Sequence, residues 1–213
     1  MRRLLFVSVA FFLYLLLLCS CFSNNKAEKS DKVFLYPEYS KGFYIDRNET
    51  DDSYLLVIRN PVDTTQIITK IEIEGRELKG DAEAACLSIT HLAFCDKIGK
   101  LKNITGIPDS VHYLGTEILQ HIKKESVKEI TLGNGLKTEV LLSLKPDYLF
   151  TSEYQNIDFS TIDMAGIKAI PILEFLEPHP LGRMEWIRLF GFLMNETKLA
   201  DEISKAVIDN YNS

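Results

Sequence analysis

From Asp81 onward, short apolar runs of strand length alternate with stretches of helical period, and this alternation narrows the possible folds most. AACLSI (84–89) reads as a short apolar strand, and THLAFCDKIGKL (90–101) as an amphipathic helix carrying Leu92, Cys95 and Ile98. NITGI (103–107) is strand-like and closed by Pro108-Asp109. TEILQHIKKE (116–125) places Ile118, Leu119 and Ile122 at helical spacing. A further helix over 138–144 must stop at Lys145-Pro146-Asp147, because proline bars helical continuation. YLFTS (148–152), a short helix near 158–165 and IKAIPIL (167–173) follow. PLGRMEWIRLFGFLM (180–194) begins with proline, where a missing N–H costs nothing, and predicts one helix with Met184, Ile187, Phe190 and Met194 facing the core. Thr197 to Tyr211 carries Leu199, Ile203, Val207 and Tyr211 on one stripe. Such alternation predicts βαβ units and a mostly parallel sheet covered on both faces.

The preceding segment has a different period. GFYID (42–46), SYLLVIRN (53–60) and TTQIITKIEIEG (64–75) are β-like, the last alternating Ile67, Thr69, Ile71 and Ile73, so residues 33–80 read as a small β-meander. Ahead of it, Arg2 and Arg3 precede an almost unbroken apolar stretch from Leu4 to Cys19, the pattern of a secretory signal peptide. A spanning anchor is the competing reading, but the run is short for the ~20 apolar residues a membrane-crossing helix needs. Leu18-Cys19-Ser20-Cys21 resembles a bacterial lipobox, with Cys21 as the lipidated residue because Leu18 stands where Cys19 would need a small neighbour. Residues 1–20 are then a lipoprotein signal peptide, and acyl chains on Cys21 hold the chain at a bilayer. The polar segment 21–32 is a flexible tether.

Composition removes whole classes of function. The 213 residues include 30 acidic and 24 basic side chains, for a net charge of -6, and loss of Arg2 and Arg3 makes the chain more acidic still. A nucleic-acid partner is excluded, since phosphate neutralisation needs a basic surface. Four cysteines are too few for a disulfide scaffold. Cys86 and Cys95 can either pair in an oxidising compartment or serve as small buried residues. Ser88 and Ser152 sit in no nucleophile elbow, Gly133-Asn134-Gly135 is too short for a dinucleotide fingerprint, and His112, His121 and His179 lack metal-cage spacing. An enzyme is therefore not expected.

CLSITHLAFCDKIGKLKNITGIPD (86–109), LGNGLKTEVLLSLKPDYLFTS (132–152) and AGIKAIPILEFLEPHPLGRMEWIRLFG (165–191) together resemble the N-terminal lobe of a known family. These are the substrate-binding proteins of ABC importers for iron-siderophore, haem and cobalamin-type chelates, in particular Bacteroidetes-type lipoproteins. Glu139 followed by Lys145-Pro146-Asp147 and the PLGRMEW segment are the most specific elements. The resemblance implies two α/β lobes joined by one long helix, with a metal chelate held between them and no covalent cofactor besides the lipid on Cys21. It implies a periplasmic, lipid-anchored location and an ABC permease dimer as partner, with Glu139 as the N-lobe docking carboxylate. A solvated first-turn glutamate is the alternative for Glu139.

In open α/β sheets ligands gather outside the carboxyl ends of the strands. Thr90, His91, Tyr113 and Tyr154 fall there, as candidates for hydrogen bonding and for stacking on a planar macrocycle. His91 reads equally as a polar group at a helix start, and either tyrosine as ordinary surface or core. Arg183 can meet a ligand carboxylate or pair with Glu177 or Glu185. Against the family pattern, residues 81–195 make one lobe, 196–213 make the start of an inter-lobe helix, and the second lobe is absent. The expected fold class is α/β: a meander, a parallel-sheet lobe and the beginning of that helix. The alternative function is a lipid-anchored interaction module, or a truncated product, without ligand binding.

Overall fold

The computed structural model describes residues 33–48, 50–109, 118, 120, 122, 127–133, 135–152 and 159–213. The chain opens with an antiparallel meander in which β1 (Val33–Leu35), β2 (Phe43–Asn48), β3 (Ser53–Arg59) and β4 (Ile67–Glu74) pair in sequence order. Register sets its apolar face: Phe43 lies opposite Ile58, Ile45 opposite Leu56, and Tyr54 opposite Ile73. All six side chains are buried. Because strand side chains alternate, a slip of one residue would turn this whole set to solvent.

The second sheet is parallel and follows the expected alternation. β5 (Ala84–Cys86), α1 (Ile89–Lys97), β6 (Ile104–Ile107) and β7 (Lys128–Glu129) come first. A hairpin of β8 (Thr131–Leu132) and β9 (Gly135–Leu136) then leads into α2 (Thr138–Leu144), β10 (Tyr148–Thr151), α3 (Phe159–Met164) and β11 (Lys168–Pro171). The strand order is β11-β10-β5-β6-β7. Both faces are covered, as the near-continuous apolar strands require. Ala84, Cys86, Tyr148 and Phe150 face one apolar cluster, while Ala85 and Leu149 face a second with Leu141 of α2 and Ile162 of α3. Helix α2 ends where expected, with Lys145 in the left-handed region at φ 50° and Pro146 next.

Residues 180–194 depart from the single helix expected. They form α4 (Pro180–Glu185) and α5 (Ile187–Leu193), separated at Trp186, and α6 (Thr197–Tyr211) follows. The Trp186 main-chain N–H bonds to the Met184 carbonyl, which interrupts the regular ladder. The break turns the indole inward, where its Nε1 donates to Glu177 at 3.0 Å.

That contact belongs to a clamp between the two sheets. The buried Glu177 carboxylate also accepts from Ser40 Oγ at 2.6 Å, Lys41 N at 3.0 Å and Gly42 N at 2.8 Å. The buried Glu185 carboxylate accepts from Glu38 N at 2.9 Å, Tyr39 N at 2.6 Å and Ser40 N at 2.7 Å. Every one is accepted by a buried carboxylate, the strong kind of bond. A Cβ at position 42 would stand 2.5 Å from the Trp186 ring, so only glycine lets the loop come this close.

Candidate functional site

The parallel sheet places its chemistry at one end. From β5 the chain moves through β6 to β7 on one side, then crosses to β10 and β11 on the other. The topological switch therefore lies between β5 and β10, and their carboxyl ends open the crevice where an α/β sheet takes a ligand. Ser88 caps α1 at this end, its Oγ accepting from Thr90 N at 3.2 Å. Thr90 is half-buried in the first turn.

The 3-10 turn Glu174–Leu176 follows β11. The main chain of Glu174 and Phe175, the Thr90 side chain and, most weakly, Arg183 all favour the charged form of the Glu174 carboxyl. Glu174 is only 7 % exposed, and burial pushes its carboxyl above the usual range despite those favourable partners. Arg183 is exposed at its tip, while its Nε donates to the Glu177 carbonyl at 3.0 Å. Thr90 and Arg183 both influence Glu174, which belongs to the strand end Leu173-Glu174-Phe175 but does not stand out there as a site residue from the sequence alone. Its position directly after a strand was the available signal. Phe175, 50 % exposed, presents a ring beside it.

His91 does not join this group. It is 0 % exposed, with its ring 6.4 Å from that of Phe150 and 6.0 Å from that of Phe190. The physical reason is helical rotation: α1 begins at Ile89, so the step of about 100° from Thr90 to His91 swings the imidazole inward. Burial lowers its pKa from 6.5 to about 3, outweighing an opposing interaction with the Phe150 main chain. The expectation that His91 reaches a ligand is corrected to a neutral core imidazole. Tyr113, Tyr154 and Cys21 lie outside the described residues, as do the signal peptide and tether.

Glu139 is exposed in the first turn of α2, where the helix dipole favours a carboxylate. The hairpin before it is tied to the end of β6 by Asp109, whose carboxylate accepts from Gly133 N at 2.8 Å and Thr131 Oγ1 at 3.0 Å. These bonds hold the Asp109 carboxyl below the usual range. A cleft of about 650 Å³ lies apart from the switch point, between β4 and β11. Lys168 crosses it, donating to the Glu72 carbonyl at 2.7 Å and pairing with Glu77 at 3.2 Å.

No family model matches the chain, and no curated protein matches it. Solved structures do. The siderophore-binding protein BauB, bound to a complex between two molecules of acinetobactin and ferric iron, aligns with a TM-score of 0.55 at 16 % identity, over 73 % of this chain and 51 % of its own. A protein of an ABC-type Fe3+-hydroxamate transport system from Saccharomonospora viridis aligns at 0.51 and 14 % identity, over 72 % and 53 %. The molybdate-bound periplasmic binding protein MolA of Haemophilus influenzae aligns at 0.50 and 19 % identity, over 72 % and 51 %. The fold is that of one lobe of a periplasmic binding protein. At these identities the likeness is one of fold, and the chain spans about half the length of the structures it matches.

Proposed function

We propose that this chain is the N-terminal lobe of an exported solute-binding protein that serves an ABC importer of metal chelates, of the ferric-siderophore, haem or cobalamin kind. The observation that carries the reading is the set of polar residues at the switch point, Thr90 after β5 and the buried Glu174 after β11, in a lobe whose fold is shared with BauB, which binds a ferric siderophore. The Thr90 hydroxyl and the Arg183 fork suit the oxygen-rich rim of such a chelate, because guanidinium groups meet carboxylates and related anions through paired N–H donors. Tyr113 and Tyr154 are proposed to stack on the cargo from strand-end loops, while His91 is a core residue. Glu139 is the proposed contact to the permease, where a rim carboxylate facing arginines sets orientation and encounter rate. Cys21 is the proposed lipid attachment, and the chelate is cargo rather than a resident cofactor.

Calorimetric titration of the full-length gene product with a ferric hydroxamate, a ferric catecholate, haem, cobalamin and molybdate tests the reading. Saturable binding of one chelate class is expected, weakened about tenfold or more by Arg183→Ala, the loss of one charge-assisted contact. Heats of dilution alone with every compound would sink it.

A further inference from the structure

We propose that Glu174 is the counter-charge for a cationic group on the cargo, so that the crevice selects chelates carrying a protonated amine. This rests on the reading of the strand-end crevice as the cargo site, and adds the charge class of what is taken there. Three carboxylates are buried among the described residues: Glu174, Glu177 and Glu185. Glu177 and Glu185 are engaged by the hydroxyl, indole and main-chain donors of the clamp. Glu174 differs. Its Oε2 is enclosed and has no hydrogen-bond partner among the described residues. A buried acceptor left unpaired is a net cost to the fold, larger when it carries charge, so folding alone gives no reason to keep one here.

The order of burial in the turn points the same way. Glu174 is enclosed at 7 % exposure, while the ring of Phe175 beside it is 50 % exposed. Stability by itself favours the reverse, with the ring inside and the charge in water. Local rules broken without a structural gain mark functional positions. An ammonium group answers both halves of the arrangement, since a carboxylate neutralises it and an aromatic face attracts it. A bare metal ion does not fit: no group of three histidine, cysteine or carboxylate ligands exists among the described residues.

The main chain holds this carboxylate in place. The Ile172 N–H donates to the Thr151 carbonyl at 2.8 Å, the Leu176 N–H to the Leu173 carbonyl at 3.0 Å, and the Glu177 N–H to the Glu174 carbonyl at 3.1 Å. Glu177 is itself fixed in the clamp, so the turn is fastened at both ends before a ligand arrives. The side chains acting on Glu174 are Thr90 of α1 and, most weakly, Arg183 of α4, whose Nε is engaged by the Glu177 carbonyl. Burial favours the protonated carboxyl in the empty crevice. An arriving ammonium favours the carboxylate, and the displaced proton leaves to the buffer. Binding at mildly acidic pH therefore releases protons.

A matched pair of probes tests this on the full-length gene product: a linear ferric trihydroxamate with a free terminal amine, and the same chelate N-acetylated. A ferric tricatecholate with and without a free amine, haem, cobalamin and molybdate complete the panel. Calorimetric titration at about pH 5.5, within reach of a raised carboxyl, in two buffers of different ionisation enthalpy reads affinity and proton release together. The amine form of one chelate class should bind about tenfold or more tighter than its acetylated form, the effect of one charge-assisted contact, with release of a fraction of a proton. Glu174→Gln should bring the two forms within about twofold of each other and remove the proton release. The parent's preference and proton release are read without any variant, so a Glu174→Gln chain that fails to fold leaves both tests in force. Equal affinity of the parent for the paired forms, or a preference that survives Glu174→Gln, would overturn the proposal. So would saturable binding of haem, cobalamin or molybdate alone, which leaves the crevice reading standing. Heats of dilution with every compound would overturn both.

Discussion

Glu177 and Glu185 spend their carboxylates on the loop 38–42, and the cost of removing either is set by what would be left behind. Without Glu177, the Ser40 hydroxyl, the Gly42 N–H and the Trp186 indole N–H lose their acceptor in a place water does not reach. Each orphaned buried donor costs about 1–3 kcal/mol, so Glu177→Ala should lose about 3 kcal/mol or more. Glu177→Gln should fall between that variant and the parent, since one amide oxygen still accepts. Urea unfolding followed by Trp186 emission measures both, and a midpoint for Glu177→Ala matching the parent would contradict this assignment. The same residues show how far a local pattern can be read. Within PLGRMEW the sequence singles out Arg183, as a ligand contact or as a partner of Glu177 or Glu185. The structure has Arg183 on the Glu177 carbonyl, with Glu185 and Trp186 serving the clamp. Nothing local in a sequence states that a carboxylate will meet main-chain N–H groups more than a hundred positions away.

At the scale of elements, period and breakers were legible. The meander strands β2, β3 and β4 and the parallel strands β5, β6, β10 and β11 fall where alternation or apolar runs place them, and α2 stops at the predicted proline turn. Very short pieces were not legible: β1, β7, β8 and β9 span two or three residues each, too few to show a period. Nor was the interior face of α5. Leu189, Phe190, Gly191, Phe192 and Leu193 are all buried, because α5 packs between α1 and α6 against the meander ring of Tyr54. A helix buried all round has no amphipathic phase to read. Gly191 marks the tightest crossing, since a Cβ there would overlap the Cβ of Ala200 on α6 and stand 3.0 Å from the Glu196 carbonyl. Gly191→Ala should destabilise the chain by about 1–3 kcal/mol through overpacking. Adding Ala200→Gly should restore part of that loss, and a double-mutant cycle in urea would detect the coupling. Purely additive effects would show that the two helices relax apart instead.

At the scale of the molecule, α6 buries Ala200 and Ser204 and leaves Leu199, Val207 and Tyr211 at 37 %, 38 % and 58 % exposure along the edge of the same face. An apolar stripe on a charged helix favours association. Leu199→Lys with Val207→Lys should leave stability within about 0.5 kcal/mol of the parent, as surface changes do, while lowering self-association in sedimentation velocity. A large drop in Tm would mean that the stripe is packed within the chain. The strand-end site was only partly legible at this scale. Thr90 and Arg183 were named from strand ends and charge, but Glu174, which both influence, emerges only when β11 is seen two places from β5. The clamp carries a different consequence. Its grip on Glu38, Tyr39, Ser40, Lys41 and Gly42 is made through five main-chain N–H groups. Those donors are supplied by any residue other than proline, so the latch is blind to most of the letters it holds. Evolution or a protein engineer can rewrite the exposed side chains at 38 and 41, or graft a recognition sequence there, and the meander stays fastened.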